Sequence, residues 1–490
     1  MRKSRILSGM AIALMLILVT VVPGLAGSTT KELSTNFTLV NLGDGLAQGT
    51  VDYILTDGSA WGDGSEDFEI TDPGGQAIFR QYYPAGSQGN PNLTDAKGSA
   101  VVSADQPLGA VVQILARGQN PTSSGAYSGF REGGTSFYVP LAARNLATAS
   151  GLSNSQIIVQ NVGSVAADIQ IRMVNPDGSD RYTASTSALP AGASFYYDLA
   201  DESASNVPDG WYGSAEASTT TTGASIAVVS NYFSGDAMQT FNAFDATSGD
   251  TKYFVPLFTS RLANSMSTPI SVQNISGSPI AIDGVQLVCT PDPALSGYDT
   301  FTMTNSSQIL NKASYYFNPV VDTSIPTGFY GSCVIDTSAD VVSFVQMRYI
   351  VQGEAAAYEA LRGGTETTAF IPLVAKRLAN GFATAVTIQN LSGSTVTMDL
   401  TYNPSPEYAG SSTPIEINDV TVGPYGGLIQ NHRITSGPAA VPALPDGWYG
   451  TLVVESDAAV GAFVQLTAMR DINPALPYGD NFMAHNAFRR

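Results

Sequence analysis

The chain of 490 residues has little of the chemistry on which nucleic-acid-binding and membrane-binding proteins depend. It has two cysteines, two histidines and six lysines, and charged residues make up only 13% of it. Asp and Glu number 41 against 22 Lys and Arg, which gives a net charge of −19. Binding to nucleic acid or to anionic membranes needs a cationic face. The composition therefore argues against both partners.

Recognisable catalytic motifs are also missing. The two histidines, His432 and His485, lie in one segment of the chain, and there is no nucleophile elbow, zinc-protease helix motif or phosphate-binding loop. No carboxylate recurs in all four repeats. We therefore expect a protein that is not an enzyme, has no catalytic residues and uses no cofactor.

Long apolar runs are absent apart from a short one at the N-terminus. Three basic residues within the first five precede the apolar residues 10–22, and small residues follow at Gly24 and Ala26. This pattern predicts a secretory signal peptide over residues 1–26; the alternative is an uncleaved membrane anchor. Cleavage changes the net charge from −19 to −22. We expect the mature protein to be secreted, extracellular or at the cell surface, without membrane insertion.

What the chain does have is fourfold internal repetition. An apolar run ends in Asn four times, at steps of 120, 113 and 116 residues, and each Asn is followed by a Gly that opens another apolar run. The pairs are Asn41 with Gly98, Asn161 with Gly213, Asn274 with Gly331, and Asn390 with Gly450. A period of this length is that of a whole domain. The predicted domains are 27–135, which is divergent, 136–251, 252–367 and 368–490.

Each repeat has the pattern of short antiparallel strands. In the fourth, FATAVTIQN alternates apolar and polar residues, which predicts a strand buried on one face. Further alternating runs follow, separated by Gly, Pro and Asn turns. An apolar segment around Pro140, Pro256 or Pro372 precedes repeats 2 to 4 and predicts an edge strand that begins the following domain. Seven short strands without helices predict a two-layer sandwich.

The connections between repeats are short and lack Pro-rich or Ser-rich linkers. We therefore predict a stiff, elongated array. Repeat 1 has no Pro-Leu segment after the signal peptide. Either residues 27–35 supply a degenerate first strand, or an open sheet edge receives a strand from a neighbouring molecule.

The two cysteines, Cys289 and Cys333, both belong to repeat 3 and are 44 residues apart. An exported chain meets oxidising conditions, so we predict a disulfide between them. The alternative is two free thiols in a reducing environment. The other repeats lack the pair, so the bridge is an addition to the fold.

Two further groups of residues are candidates for binding sites. Asp63, Glu66 and Asp67 lie in a Gly-rich acidic stretch of repeat 1 and carry the oxygen ligands that Ca²⁺ prefers, although a solvated acidic loop also explains them. Trp211, Phe329 and Trp448 share one position in repeats 2 to 4. Aromatic residues there are either core residues or exposed platforms for a sugar.

The repeated asparagines also invite interpretation as ligand-binding residues. An Asn that ends a strand commonly caps the following turn with its own side chain. We predict that role for this column.

The succession of Val-Pro-Leu, Val-Gln-Asn, Pro-Asp-Gly-Trp-Tyr-Gly and Ala-Val-Val resembles uncharacterised secreted bacterial tandem-repeat proteins with Ig-like domains. The resemblance covers nearly the whole mature chain and implies four tandem Ig-like antiparallel β-sandwiches, but no activity. We expect a structural or adhesive protein of the cell surface or extracellular matrix, acting by display, adhesion or self-association into filaments or a surface layer. The alternative is an array of carbohydrate-binding modules that binds polysaccharide.

Overall fold

The structure is a computed structural model that describes residues 19–21, 33–71, 73–81, 90–94, 96–116, 121–148 and 150–490. These residues form antiparallel β-strands and one short 3-10 turn, Ala246–Ser248. The predicted all-β, antiparallel fold is confirmed. Within the described ranges there is no helix with the length and apolarity needed to cross a membrane.

The strands follow the four sequence repeats. Repeat 1 holds β1 Val19–Val21, β2 Ser34–Asn41, β3 Ala47–Leu55, β4 Glu66–Ile70, β5 Gln76–Arg80, β6 Gly98–Ala104, β7 Leu108–Leu115 and β8 Ser124–Ser128. Repeat 2 holds β9 Ser136–Arg144, β10 Leu146–Thr148, β11 Gly151–Asn161, β12 Ala167–Val174, β13 Asp180–Leu189, β14 Ser194–Asp198, β15 Trp211–Thr219, β16 Ile226–Ser234, β17 Ala237–Asn242 and β18 Phe244–Asp245.

Repeat 3 holds β19 Asp250–Ser260, β20 Met266–Ser267, β21 Ile270–Asn274, β22 Val285–Pro291, β23 Phe301–Thr304, β24 Ser314–Phe317, β25 Phe329–Tyr349, β26 Glu354–Glu359 and β27 Leu361–Arg362. Repeat 4 holds β28 Thr368–Ala375, β29 Phe382–Asn390, β30 Val396–Pro404, β31 Ile415–Val422, β32 Gly427–Asn431, β33 Tyr449–Ser456, β34 Val460–Ala468, β35 Phe482–Asn486 and β36 Phe488–Arg489.

Two kinds of sheet recur. We call outer sheets those with the orders β1-β6-β3-β4, β13-β12-β15-β9-β18 and β31-β30-β33-β28-β36. The inner sheets have the orders β5-β2-β7-β8, β10-β11-β16-β17 with β14 on β11, and β32-β29-β34-β35. In repeat 3 the long strand β25 belongs to both layers, so its two sheets are joined.

The Pro-Leu segments lie where the sequence predicts, in the outer sheet of the following repeat. In repeat 2, β9 pairs with β15, and the short β18 covers only Phe137 and Tyr138 on its other side. Pairing with β18 thus stops before Pro140, where an N–H is missing. In repeat 1 the place beside β6 is taken by β1, with Val21 opposite Gly98. The rest of the predicted signal peptide, and residues 27–32, lie outside the described residues.

The inner strands differ from the prediction of a strand buried on one face. Thr387 and Gln389 on one face of β29 are as fully buried as Val386 and Ile388 on the other. The outer strand β30, by contrast, alternates between buried and more exposed positions. The inner sheets are covered on both faces because the outer sheet of one repeat packs on the inner sheet of the next: β9 contacts β21, β19 contacts β29, and β28 contacts β2.

The predicted elongated array is wrong, because the repeats close into a ring. The last inner strand of each repeat, which we call its central strand, contacts the next one in the series β8, β17, β26 and β35. β35 then contacts β8, which closes the series. The alternation of apolar and polar residues and the short connections are compatible with repeats in a row and with repeats in a ring. The angle at which neighbouring repeats pack decides which of the two arrangements forms.

Buried apolar residues form clusters that cross the predicted domain boundaries. The cluster of repeats 1 and 2 includes Val342 and Phe344 of repeat 3. The cluster of repeat 3 includes Phe463 of repeat 4, and that of repeat 4 includes Ala126 of repeat 1. The four boundaries therefore stay a prediction, since the repeats do not bury their interiors separately.

Candidate functional site

The central strands meet through equivalent residues of successive repeats. Phe241 stacks on Phe344 with ring centroids 4.5 Å apart, and Tyr358 stacks on Phe463 at 4.2 Å. In each pair the first ring comes from a central strand and the second from its neighbour's inner sheet. Aromatic stacking adds to the apolar area that these contacts remove from water.

Polar groups join the ends of these strands. Asn242 donates from its backbone N–H to the Glu359 carboxylate at 2.8 Å, and from its side chain to the Ser128 carbonyl at 2.8 Å. Asn486 donates to the Glu359 carbonyl at 2.7 Å and to its carboxylate at 2.9 Å. These four residues are the last of their strands, so one hydrogen-bonded cluster connects all four repeats.

Asp480 connects the repeats at the other end of the central strands. Its fully buried carboxylate accepts backbone N–H bonds from Met238 at 2.8 Å, Ala355 at 3.2 Å and Phe482 at 3.2 Å. Its own backbone N–H donates to the Thr122 carbonyl at 3.0 Å. Burial raises the pKa of Asp480 well above its usual range, although the backbone donors oppose the shift.

A column of hydroxyl groups marks the interfaces between consecutive repeats, which we call seams. The residue after each repeated Gly is Ser99, Ser214, Ser332 or Thr451. Ser214 donates to the Lys312 carbonyl at 2.5 Å, Ser332 to the Tyr425 carbonyl at 2.8 Å, and Thr451 to the Gly74 carbonyl at 2.7 Å. Ser99 accepts from the side chain of Gln160 at 2.6 Å. Sequence reasoning missed this column, although the Gly-Ser/Thr pair is visible in all four repeats.

The preceding glycine is needed for close approach within the repeat. A Cβ atom at Gly213 would lie 2.1 Å from the Val174 carbonyl oxygen, and one at Gly450 would lie 2.0 Å from that of Asn403. The glycine thus lets the neighbouring outer strand approach and presents the following hydroxyl to the next repeat.

The seam between repeats 4 and 1, the closing seam, differs from the others. Gln160, Gln273 and Gln389 precede the repeated Asn in repeats 2 to 4 and hydrogen-bond at their seams, as Gln389 does to the Cys333 carbonyl at 3.2 Å. Repeat 1 has Val40 there, which packs in an apolar cluster with Leu42 and Phe370.

A terminal ion pair completes the closing seam. Arg490 donates two hydrogen bonds of 2.7 Å to the carboxylate of Asp44 and one of 2.8 Å to the Leu42 carbonyl. The arginine lowers the pKa of Asp44, and the carboxylate raises that of Arg490. Because both side chains are exposed, solvent and salt weaken the pair.

A cleft of 940 Å³ lies in the closing seam. Repeat 1 lines it mainly with Asn36, Thr38, Ile78, Arg80, Gln113 and Leu115 from the outward face of its inner sheet. Repeat 4 contributes an apolar wall that includes Leu373, Leu378, Phe382, Leu466, Leu476 and Met483. Arg80 is bonded to Glu407 of repeat 4 at 3.2 Å, which neutralises the two charges at this site.

The three aromatic candidates are core residues. Trp211 is 7% exposed, Trp448 is 1% exposed and Phe329 is fully buried. The Trp211 indole donates to the Asn175 side chain at 2.8 Å, and Phe329 meets Phe301 edge to face. Rings in these positions offer no face to a sugar.

The acidic candidates of repeat 1 do not converge. Glu66 accepts hydrogen bonds from the Tyr53 hydroxyl at 2.6 Å and from Asn90 at 2.9 Å, while the Asp63 carbonyl accepts from Asn92. Neither these residues nor Asp67 belong to a group of three or more carboxylates, histidines or cysteines placed to hold a metal ion, and the described ranges hold no such group elsewhere.

The predicted disulfide is confirmed: Cys289 and Cys333 are bonded across directly paired positions of β22 and β25. Both are buried. The same pair of positions is Tyr53 with Ala100 in repeat 1, Met173 with Ala215 in repeat 2, and Tyr402 with Leu452 in repeat 4. The disulfide of repeat 3 thus occupies the positions where each of the other repeats has a large residue packed beside an apolar residue.

The repeated asparagines cap turns, as predicted. Asn161 donates to the Val165 carbonyl at 2.8 Å and accepts from the Gly163 N–H at 3.0 Å. Asn390 does the same with Ser394 and Ser392, at 2.6 and 2.8 Å.

The histidines and several acids are buried structural groups. Burial lowers the pKa of His432 to about 3 and that of His485 to about 4. His432 lies between the hydroxyls of Thr384 and Tyr402, at 3.1 and 3.2 Å. Burial raises the pKa of Glu354 to about 7. These shifts follow from removal of charge from water.

Comparisons with known proteins give little. No family model matches the chain, and no curated protein matches it. Among solved structures it is similar to a mutant of the major pilin of Streptococcus pyogenes, at 9% identity over 59% of this chain and 92% of the pilin, with a TM-score of 0.12. Two bacterial α-2-macroglobulins also match over 98% of this chain. The Escherichia coli protein, activated by porcine elastase, is 11% identical over 44% of its length, and the methylamine-reacted Salmonella protein is 10% identical over 40%, both with TM-scores of 0.11. Similarity this low carries no argument about function.

Proposed function

We propose that the protein is an exported, non-enzymatic structural protein of the cell surface or extracellular matrix. It acts by display, adhesion or self-association. The leader-like N-terminus and the Cys289–Cys333 disulfide support export, because disulfides persist in oxidising compartments. The faces of the inner sheets are buried between neighbouring repeats of the ring. A binding partner would therefore contact the exterior of the ring or a sheet edge that remains unpaired.

One sheet edge carries the self-association part of the proposal. Strand β1 lies beside β6 and belongs to the predicted signal peptide. Cleavage after Ala26 removes β1 and leaves β6 with β3 as its one neighbour among the strands that the structure describes. An unpaired edge accepts a strand from another chain, which makes β6 the site of self-association or of an added strand from a partner.

The polysaccharide alternative has less support. Its aromatic platforms, Trp211, Phe329 and Trp448, are inside the core. A glycan array with the mature protein addresses this alternative directly: saturable binding to one glycan class would favour it over the structural proposal.

The proposal is tested by expressing the whole chain with its own leader in a bacterial host. We expect mass spectrometry to find Gly27 at the N-terminus, and surface or medium fractions to hold the protein. The mature chain should form concentration-dependent oligomers in light scattering, and a synthetic peptide of residues 19–26 should reduce them by occupying β6. Retention in the cytoplasm would overturn export, and oligomers insensitive to the peptide would overturn the role of β6.

A further inference from the structure

The cleft in the closing seam has a counterpart in the seam between repeats 1 and 2 and in the seam between repeats 2 and 3, and in both a tyrosine of the chain lies there. The position in question lies on the strand that pairs with the Asn-ending strand, opposite the third residue before the repeated Asn. It is Tyr196 in repeat 2, opposite Ile158, and Tyr316 in repeat 3, opposite Ser271. In repeat 1 the same position is Ile78, opposite Thr38. Ile78 lines the cleft. Repeat 4 also lacks the tyrosine and has Ile429 there, opposite Thr387, but Ile429 packs against the apolar cluster of repeat 3. Of the two positions without a tyrosine, the one in repeat 1 borders the open space.

The hydrogen-bonding partner of that tyrosine is still present in repeat 1. In repeat 3 the Tyr316 hydroxyl donates to the Gln346 side-chain oxygen, and the Gln346 amide donates to Gln239 of repeat 2 at 2.7 Å. Gln346 lies opposite Pro269, the fifth residue before the repeated Asn of repeat 3. In repeat 1 the residue opposite the fifth residue before the repeated Asn is Gln113, which is therefore the equivalent of Gln346. Gln113 is 9% exposed and lines the cleft. Its side-chain amide has no hydrogen-bond partner among the residues that the structure describes.

We propose that this cleft is a binding site for an uncharged aromatic compound that carries a hydroxyl group. The ring would occupy the space that Tyr316 fills in the neighbouring seam, and the hydroxyl would donate to Gln113. The Gln113 amide faces the open cleft, and a purely apolar ligand would cover it without supplying a hydrogen bond. A ligand whose hydroxyl bonds to this amide avoids that cost and is favoured over a purely apolar one.

The remaining lining selects against other ligands. Leu373, Phe382 and Met483 belong to an apolar wall that would desolvate the hydroxyls of a sugar without replacing their hydrogen bonds. Arg80 is held by Glu407, so an anion meets a neutralised site. The volume of 940 Å³ is within the range of pockets for small organic molecules, about 300–1,000 Å³.

The test uses the full mature chain with 2-naphthol as the probe and naphthalene as its analogue without a hydroxyl. Binding is measured by calorimetry and by probe fluorescence. We expect saturable binding of one 2-naphthol per chain, and weaker binding of naphthalene. Ile78→Tyr should abolish binding of both, because it fills the cleft as Tyr196 and Tyr316 do in the seams between repeats 1 and 2 and between repeats 2 and 3. Ile429→Tyr, the same change at the equivalent position of repeat 4, is the matched control and should leave binding unchanged.

Gln113→Leu separates hydrogen bonding from a general loss of structure. It should weaken 2-naphthol binding about five- to tenfold, the size of one hydrogen bond, and leave naphthalene binding unchanged. The ratio of the effects of Gln113→Leu on 2-naphthol and on naphthalene tests the hydrogen bond to Gln113 even if the Ile78→Tyr variant does not fold. Absence of saturable binding, equal effects of the two tyrosine variants, or equal effects of Gln113→Leu on both probes would each overturn the proposal. Equal competition by 1-decanol would overturn the aromatic class.

Discussion

The carboxylate of Asp480 accepts a hydrogen bond of 2.8 Å from the backbone N–H of Met238, which lies 242 residues earlier in the chain. Ala355 and Phe482 donate to the other carboxylate oxygen. One side chain of repeat 4 therefore satisfies backbone donors of repeats 2, 3 and 4 in the interior of the ring. Backbone donors in that position cannot turn to water instead.

We expect Asp480→Ala to be among the most destabilising single substitutions in the chain. It leaves three buried N–H groups without an acceptor and should lower the free energy of unfolding by about 3–5 kcal/mol. Urea denaturation followed by intrinsic fluorescence measures this. Asp471→Asn, a change on an exposed aspartate near Arg377, is the control and should stay within about 0.5 kcal/mol. Equal effects of both would contradict the role of Asp480.

The ring should unfold as a unit. Clusters of buried apolar residues cross every boundary between repeats, so removal of one repeat exposes inner-sheet surface of its neighbours. We expect one cooperative transition in calorimetry, and no stable quarter-length fragment in limited proteolysis. Four resolved transitions would show that each repeat is independently stable.

The same arrangement sets the dimensions of the molecule. A compact chain of this length has a radius of gyration of roughly 23 Å, and four sandwiches in a row give a much larger value. Small-angle scattering on the dilute mature protein distinguishes the two arrangements, and a profile typical of a rod would refute closure of the ring.

Titration of Glu354 should lower the stability as the pH rises from 6.5 to 8. Burial raises the pKa of Glu354 to about 7, so the folded state keeps a proton that the unfolded state has released. Stability from such a group is present at low pH and is lost as the pH rises through the folded-state value. His432 and His485, with lowered pKa values, act in the opposite direction while the unfolded chain releases their protons around the ordinary value of about 6.5.

We expect Glu354 to contribute a loss of about 0.5–1 kcal/mol over pH 6.5–8. Melting temperatures of the chain and of its Glu354→Gln variant across this range measure the loss as the difference between the two profiles, because the variant's side chain has no proton to release and the histidines act alike in both. An unchanged slope in this variant would assign the pH dependence to other groups.

The disulfide should be replaceable by the residues that another repeat uses. Replacing Cys289 and Cys333 by two alanines removes a bridge that closes a 44-residue loop and is worth about 3–4 kcal/mol. The pair Cys289→Met with Cys333→Ala copies Met173 and Ala215 of repeat 2 and should be more stable than the double alanine variant, because it fills the same space. Denaturation of both variants tests this, and equal stabilities would show that packing at this site contributes little.

Much of the local structure could be predicted from the sequence. The Asn turns, the place of the Pro-Leu strands and the disulfide all follow from residues near each other or from a unique pair, and the structure has them where expected. The role of Asp480 could not be predicted, because two of its partners lie in repeats 2 and 3 and no motif marks them. The hydroxyls of Ser332 and Thr451 were visible as a column, but nothing local shows that they reach another repeat.

The sequence by itself determined the repeated β-strand unit, because alternation, turn residues and Gly positions act over a few neighbours. Only the tertiary structure decided that Thr387 and Gln389 are buried, that Ile78 borders a cleft while Tyr316 fills its counterpart, and that repeat 4 returns to repeat 1. The physical reason is that the rotation between neighbouring repeats comes from sheet-on-sheet packing. A rotation that closes after four steps gives a ring, and any other gives an open array.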